Sequence, residues 1–204
     1  MTAKSYAEKA FSLNPDATWI AGVDEVGRGA LFGPVVAAAV ILPGAATDVL
    51  INAGVTDSKQ LTPLQRERLI QLIYAEAIDC RIGISSVREI DRFNILNASL
   101  LAMRRAISRL QPQPTLCLID GNQSIPELAI AQQALIKGDQ HCLPIAAASI
   151  VAKVWRDRLM VRLAQTYPGY DLGHNKGYGT AKHRQALAKL GASHQHRKSF
   201  RPCH

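Results

Sequence analysis

Four acidic residues lie at or just beyond the ends of apolar segments, where an open α/β sheet places its ligand chemistry. Asp24 and Glu25 end the first apolar segment of the chain, Asp120 directly follows residues 115–119, and Asp139 follows another short apolar segment. Each acid alone is also compatible with a turn or a solvated strand end. Four acids at three strand ends together favour a cation site that meets a phosphodiester.

The type of acid cluster indicates the type of ion. Carboxylates without a cysteine or histidine cluster suit hard ions such as Mg²⁺ or Mn²⁺ better than zinc. Two such ions about 4 Å apart can orient and deprotonate a water and stabilise the leaving 3′-oxygen, which gives 5′-phosphate and 3′-hydroxyl ends. Because adjacent side chains of a strand point to opposite faces, we expect Asp24 and Glu25 to serve the site in different ways.

The sequence Gly27-Arg28-Gly29 stands directly after the first acid pair. Residues 19–36 are predicted to form a hairpin of strand, glycine-rich turn and strand. Glycine removes Cβ from the turn, so backbone N–H groups can come close to a ligand. Such a turn is weak evidence by itself, and it is not a dinucleotide fingerprint, because Gly33-Pro34 and a β-branched run follow in place of a helix.

Periodic apolar positions and capping residues predict the elements that hold these acids. Thr62 is predicted to cap a helix that runs to about Ala77 with Leu64 on its apolar stripe. Asp157 is interpreted as a helix-surface acid paired with its neighbouring arginines. The other predicted elements are strands over 80–87 and 115–119, helices over 94–110 and 145–164, and a short helix from Thr180 to about Leu190.

Positive charge is concentrated near the C-terminus. The chain has a formal net charge of +8, and residues 151–204 hold 11 Lys and Arg against 2 Asp and Glu. This distribution suits a polyanion, and nucleic acid is favoured over a membrane because the region has no Trp/Phe-rich amphipathic helix. Tyr178 lies in a loop of glycine, tyrosine, lysine and histidine, where it can stack on a sugar or base or simply pack. Residues 193–204 are predicted to be a loosely ordered tail.

Composition sets the broad class. A chain of 204 residues with 48% hydrophobic and 20% charged residues is typical of one soluble globular domain, and we expect a monomer. No signal peptide or membrane span is predicted. Four cysteines without a CxxC pair favour a reducing, cytoplasmic setting; they are Cys80, Cys117, Cys142 and Cys203.

The order of motifs closely resembles bacterial ribonuclease HII. The motifs are VDEVGRG, GPVVAAAVIL, DSK, LIDGN, KGD, AAASIVAKVWRDRLM and NKGYGT, and the resemblance covers roughly residues 18–200. It implies an α/β fold with an RNase H-like mixed sheet flanked by helices and a small helical C-terminal part. Ala30 and Phe32 depart from the proline and alanine of many relatives, which leaves the local packing of the turn open.

The resemblance also implies functional residues. The catalytic and metal-binding acids fall on Asp24, Glu25, Asp120 and Asp139, with Mg²⁺ or Mn²⁺ as the cofactor. The substrate would be an RNA/DNA hybrid or a DNA duplex with a single ribonucleotide. The turn would read the ribose 2′-hydroxyl, and Tyr178 would pack against the adjacent deoxyribose. The predicted substrate-binding residues are Gly27, Arg28, Gly29, Lys59, Lys153 and Tyr178.

The resulting division is an N-terminal extension (1–17), a catalytic domain (18–165) and a basic substrate-binding segment (166–204). The chain end FRPCH shows no recognisable sliding-clamp peptide. Two alternatives stay open. A 3′→5′ exonuclease with four acids would leave the glycine-rich turn without a role, and a non-catalytic nucleic-acid-binding protein would not need the acids.

Overall fold

The computed structural model describes residues 19–203, so the predicted N-terminal extension lies outside the described residues. The strands are β1 (Ile20–Val26), β2 (Val35–Ile41), β3 (Asp79–Ser85), β4 (Leu116–Asp120) and β5 (Ala131–Leu135). The helices are α1 (Ala46–Ala53), α2 (Pro63–Glu76), α3 (Val87–Ile107), α4 (Gly138–His141), α5 (Leu143–Thr166), α6 (Leu172–Asn175) and α7 (Ala181–Leu190), with a 3₁₀ turn at Ser58–Gln60.

The strands form one mixed sheet in the order β3-β2-β1-β4-β5. β1 pairs antiparallel with β2, which confirms the predicted hairpin, and parallel with β4. Val23 is level with Ile119, so Asp24 and Asp120 follow at the same edge of the sheet. Asp120 is level with Leu135 of the parallel strand β5, and this register directs the chain after β5 to the same edge.

Helices cover both faces of the sheet, as predicted. Alternate residues of β2 face opposite sides: Ala37 and Ala39 pack in the core under α3, whereas Ala38 and Val40 pack in the core under α2 and α5. A Cβ on Gly22 of β1 would lie 2.0 Å from the carbonyl carbon of Pro144, so only glycine lets the start of α5 approach the strand this closely. This contact sets α5 beside the edge that carries the acids.

Helix α2 confirms the predicted cap. Thr62 accepts from the Gln65 amide, and the Gln65 side chain accepts from the Thr62 amide at 2.8 Å. Leu64, however, is 82% exposed, so its place on the apolar stripe was wrong. It lies at the second helical position, before the stripe formed by Leu69, Ile70 and Ile73 begins.

The prediction for α3 was wrong at its start. The helix begins at Val87, because Ser86 and Glu89 form a capping box that ends β3 at Ser85. Asn94 has φ +67° and interrupts the helix, and its side chain accepts from the Asn97 amide at 3.1 Å. The predicted start at residue 94 is therefore an internal cap. Helix α5 extends the predicted range at both ends, and no described helix is long and apolar enough to cross a membrane.

The prediction of a loosely ordered tail was also wrong. His196 and Arg197 are buried, and Cys203 packs in an apolar cluster with Phe32. The Phe32 ring lies edge-on to His196, with their centroids 4.9 Å apart. The last residues described therefore cover the hairpin turn, because their polar side chains bond to its backbone and their apolar side chains surround Phe32. The other cluster members are Leu31, Met160, Tyr170, Leu172 and Leu187.

Candidate active site

Three of the predicted acids meet at one edge of the sheet. Carboxylate oxygens of Asp24, Asp120 and Asp139 all lie within 4.8 Å of one another. Asp24 and Asp139 are buried, and Asp120 is partly exposed. Each acid comes from a different part of the chain: β1, the end of β4, and the short helix α4 after β5. The sheet register thus brings together groups that are far apart in sequence.

Glu25 faces away from this cluster, as the alternation of a strand requires. Its Oε1 accepts from Arg28 Nη1 at 3.2 Å, and its backbone N–H donates to Asp24 Oδ1 at 2.7 Å. Glu25, Arg28 and Asp120 line one small cavity together with Ser99 of α3. Glu25 therefore approaches the site from the α3 side of the sheet, whereas Asp24 approaches it from the α5 side.

The cluster is electrostatically unfavourable without a cation. Burial, followed by the charges of Glu25 and Asp120, raises the pKa of Asp24 well above its usual range. Burial, followed by the charge of Asp139, raises the pKa of Asp120. The Gly138 amide donates to Asp120 Oδ1 at 2.8 Å and partly opposes this rise. A bound cation would relieve the same repulsion.

Lys59 is positioned at the cluster by a local turn. Asp57 caps the 3₁₀ turn by accepting from the Lys59 amide at 3.0 Å. Lys59 Nζ then lies 3.0 Å from Asp139 Oδ2 and 3.8 Å from Asp57 Oδ1. Burial lowers the pKa of Lys59, but the hydrogen bond to Asp139 and the nearby carboxylates outweigh it and raise the pKa overall.

Two residues that support the acid cluster were not predicted from the sequence. Ser149 of α5 shares a 2.8 Å hydrogen bond with Ser58, and hydrogen bonding from Ser149 lowers the pKa of Asp24. Asp57, which is buried, holds the turn that carries Lys59. Asp57 could have been found from the Asx-turn pattern of Asp-Ser-Lys. Ser149 gave no signal within its run of small residues.

The glycine-rich turn contacts the C-terminal segment. Ala30 N–H donates to the Gly27 carbonyl at 3.3 Å, which places Arg28 and Gly29 at the centre of a β-turn, and both are exposed. Ala30 forms an isolated bridge with Tyr178. Lys153 Nζ lies 5.9 Å from the centroid of the Tyr178 ring. The predicted substrate-binding residues of the turn, the tyrosine loop and α5 are therefore neighbours.

Helix α5 supplies a buried arginine whose role the sequence did not show. Arg156 is 0% exposed, and its guanidinium donates to the carbonyls of Pro34, Lys176 and Phe32 at 3.1, 2.7 and 3.0 Å. It does not pair with Asp157, which accepts from Lys153 at 2.8 Å instead. Arg156 thus links the hairpin to the tyrosine loop.

Two buried histidines hold the tyrosine loop. His183 Nδ1 lies 2.9 Å from the Tyr178 carbonyl, which only accepts, so Nδ1 carries the proton. His183 Nε2 therefore accepts from His196 Nε2, 3.2 Å away. His196 Nδ1 in turn accepts from the Ser193 amide at 3.0 Å. This chain of hydrogen bonds requires both imidazoles to be neutral.

Acidification should weaken the hydrogen bond between His183 and His196 and so lower the stability of the protein. Burial, then the proximity of His183, lowers the pKa of His196 to about 4, and burial lowers the pKa of His183. The unfolded chain takes up these protons near pH 6.5, so stability should fall as pH drops from about 6.5 towards 4. The slope is at most about 1.4 kcal/mol per pH unit for each histidine. Thermal melts between pH 8 and 5 should show a smaller pH dependence for His196→Gln.

The control for this experiment is His174→Gln, because the His174 side chain is 88% exposed and its contact with Asp171 at 3.0 Å is a surface pair, which contributes little to stability. That variant should keep the wild-type pH dependence. Equal slopes for His196→Gln and the wild-type protein would show that the buried pair does not titrate as described.

The fold and the site together define a class of protein. A mixed five-stranded sheet with helices on both faces, and three carboxylates gathered at its strand ends, is the arrangement of an RNase H-like nuclease that uses divalent metal.

Comparisons with known proteins agree with this class. Residues 21–203 match the family model described as Ribonuclease HII. Ribonuclease HII of Trichodesmium erythraeum is 65% identical over 183 residues, covering 90% of this chain and 87% of the relative. The chain therefore belongs to the ribonuclease HII family, and it is a nuclease that hydrolyses phosphodiester bonds.

Solved structures show the same fold. The ribonuclease H2 of Pyrococcus horikoshii superposes with a TM-score of 0.75 at 27% identity, covering 91% of this chain and 95% of that one. The RNase HII of Archaeoglobus fulgidus, solved as a complex with PCNA, superposes with a TM-score of 0.72 at 28% identity, covering 84% and 88%.

Proposed function

We propose that this ribonuclease cuts the RNA strand of RNA/DNA hybrids and also cuts duplex DNA at single embedded ribonucleotides. The observation that carries the proposal is the cluster of Asp24, Asp120 and Asp139 next to the exposed turn of Arg28 and Gly29. The acids supply a cation site for phosphodiester chemistry, and the turn supplies backbone groups that can test for a ribose.

The donor set fits Mg²⁺ or Mn²⁺. Every candidate ligand is a carboxylate oxygen, the type these ions prefer. Asp24, Asp120 and Asp139 would hold two ions, with Glu25 as the fourth candidate on the α3 side. When bound, the ions would supply an activated water and stabilise the leaving 3′-oxygen, giving 5′-phosphate and 3′-hydroxyl ends. Family membership supports a divalent cation as the cofactor, and the donor set favours these two.

The remaining predicted residues would place the substrate. Only the 2′-hydroxyl distinguishes a ribonucleotide from a deoxyribonucleotide at one position, so the backbone of residues 27–29 is the proposed ribose reader. Tyr178 presents its ring beside that turn and would pack against the adjacent deoxyribose. Lys59 lies at the acid cluster and Lys153 lies at the Tyr178 ring, and both would contact phosphates of the substrate.

The basic segment supports a nucleic-acid partner. We propose that residues 18–165 carry catalysis and residues 166–204 carry much of the substrate contact, although some basic residues of the segment serve its packing. Arg197, for example, is 0% exposed. We further propose a monomer in the cytoplasm, where the four free cysteine thiols would stay reduced. PCNA is the partner of the Archaeoglobus relative in its solved structure.

An RNA/DNA hybrid tests the reaction. With Mg²⁺ or Mn²⁺, the RNA strand should be cut internally, the products should carry 5′-phosphates, and EDTA should stop the cleavage. Stepwise trimming from the 3′ end, which also digests DNA, would favour the exonuclease alternative. Binding of the hybrid without metal-dependent cleavage would favour a non-catalytic binding protein.

A further inference from the structure

Arg197 lies in the C-terminal segment, yet its side chain ends beneath the glycine-rich turn. It is 0% exposed. Its Nη1 donates to the Arg28 carbonyl at 2.7 Å, and its Nε donates to the Gly33 carbonyl at 3.0 Å. Its backbone N–H donates to the Leu31 carbonyl at 2.9 Å. One residue therefore bonds to three carbonyls of the segment 28–33.

The bond to Arg28 fixes a peptide that glycine would otherwise leave free. Type I and type II turns differ mainly by rotation of the central peptide, here the one between Arg28 and Gly29. Gly29 does not have the positive φ that a type II turn requires at this position. Glycine can adopt either conformation at little cost, so the sequence of the turn does not itself choose between them.

The orientation of this peptide decides what the turn presents. In a trans peptide the carbonyl and the following N–H point in opposite directions. Because the Arg28 carbonyl points inward to Arg197, the Gly29 N–H points outward. Gly29 is exposed, and its N–H has no hydrogen-bond partner among residues 19–203. Rotation of the peptide would expose a carbonyl acceptor in place of this donor.

Packing alone does not explain why a charged residue occupies the buried position 197. Its Nη2 is buried without a hydrogen-bond partner. The guanidinium carbon lies 5.1 Å from the centroid of the Phe200 ring, and the charge of Asp91 favours the charged form of Arg197. Burial, then the charge of Arg156, lowers its pKa to about 9, so it stays charged at neutral pH. Burying a charged group with an unmet donor is unfavourable. An apolar side chain would avoid this cost, but it would leave the carbonyls of Arg28 and Gly33 without the donors that Arg197 supplies.

We propose that Arg197 is a positioning residue for ribose selection: it holds the Arg28–Gly29 peptide so that the Gly29 N–H faces the substrate as a donor to the ribose 2′-oxygen. The inference rests on the proposed function, because it assigns the orientation of the turn that would read the ribose. Arg197 itself touches no substrate atom, since it is buried behind the turn.

Binding without cleavage gives the test. In EDTA, fluorescence anisotropy compares a DNA duplex that carries one ribonucleotide with the matched all-DNA duplex. The wild-type protein should prefer the first. Arg197→Met should lose about tenfold of this preference, the equivalent of one hydrogen bond, while its affinity for the all-DNA duplex stays unchanged. Arg197→Lys keeps a cation and a donor, so it should restore part of the preference.

The matched control is Arg105→Met. Arg105 also donates to a backbone carbonyl, that of Ile84 at 2.7 Å, but it lies between α3 and β3. This variant should keep the wild-type preference even if its stability falls. If Arg197→Met does not fold, Arg197→Lys decides, and its preference must lie below that of the wild-type protein.

Two negative results have different meanings. A wild-type preference that persists in the folded Arg197 variants overturns the role of Arg197 and leaves the proposed function intact. The absence of any preference in the wild-type protein overturns ribose reading by the turn, and the positioning role with it.

Discussion

Asp120→Asn and Asp139→Asn should each reduce cleavage by roughly a thousandfold while the protein stays folded. Each change deletes a charge from the three-carboxylate cluster rather than a contact in the apolar core. A loss of about 4 kcal/mol of transition-state stabilisation, within the several kcal/mol that metal-assisted charge stabilisation supplies, corresponds to this factor. Single-turnover cleavage of an RNA/DNA hybrid in Mg²⁺ measures it.

The two variants should differ in stability without metal. Asp120→Asn relieves repulsion by Asp139 and keeps an oxygen for the Gly138 amide, so the free energy of unfolding should rise. Asp139→Asn also loses its ion pair with Lys59, so it should gain less. Added Mn²⁺ should raise the melting temperature of the wild-type protein more than that of either variant.

The control is Asp48→Asn, because Asp48 is an exposed acid of α1. It should cleave and bind metal as the wild-type protein does. Near wild-type cleavage by Asp120→Asn or Asp139→Asn, with normal metal dependence, would remove that residue from the proposed metal site.

Gly27→Ala should be the most damaging change in the turn. Gly27 has φ +95°, and an added Cβ would lie 2.3 Å from Arg156 Nε. The Arg156 guanidinium cannot easily move away, because its three nitrogens donate to three backbone carbonyls. A non-glycine residue in this conformation costs about 1–3 kcal/mol before the clash is counted. Thermal melts should show the loss, and cleavage should fall on hybrids and on single-ribonucleotide duplexes alike.

Gly29→Ala should reduce cleavage without changing the stability of the protein. Gly29 lacks a positive φ, and an added Cβ would meet no atom within 4 Å, so backbone strain is not expected. The new methyl would instead lie on the exposed side of the turn, in the path of a ribose. Stability should match the wild-type protein, while cleavage at a single ribonucleotide should fall about tenfold, the equivalent of one hydrogen bond. If this variant cleaves the single-ribonucleotide duplex and the RNA/DNA hybrid at the wild-type rate, the turn does not read the ribose.

The sheet and the acid cluster were largely predictable because both follow from local patterns. Apolar segments predicted the first four strands, and the acids at strand ends marked the edge where Asp24, Asp120 and Asp139 meet. The strand before Asp139 does not follow this pattern, because β5 contains two glutamines and is partly exposed, and Ile136 lies outside it and is 73% exposed. Strand alternation also predicted that Asp24 and Glu25 would serve the site in different ways, but it did not predict which of them joins the cluster. The start of α3 at Val87 was missed, although Ser86 and Glu89 form a capping box that the sequence contains.

The C-terminal segment was not predictable in the same way. In the sequence, Arg156 and Arg197 look like surface charges of a basic stretch. In the structure both are buried. Most of their side-chain hydrogen bonds go to backbone carbonyls more than 100 residues away. Every residue has a backbone carbonyl, so the type of the accepting residue does not indicate that it receives such a hydrogen bond. The same holds for the contact of Phe32 with His196, which only the folded chain brings together.

Cleavage of a DNA duplex that carries one ribonucleotide tests the proposed metal-dependent, ribose-selective reaction most directly. With Mg²⁺ or Mn²⁺, we expect a single cut at the ribonucleotide that leaves a 5′-phosphate and a 3′-hydroxyl, and no cut in the matched all-DNA duplex. Asp120→Asn should cut neither duplex. Equal cleavage of both duplexes by the wild-type protein would show that the enzyme does not select ribose. Cleavage at the ribonucleotide that persists in EDTA would show that the acid cluster does not act through a divalent cation.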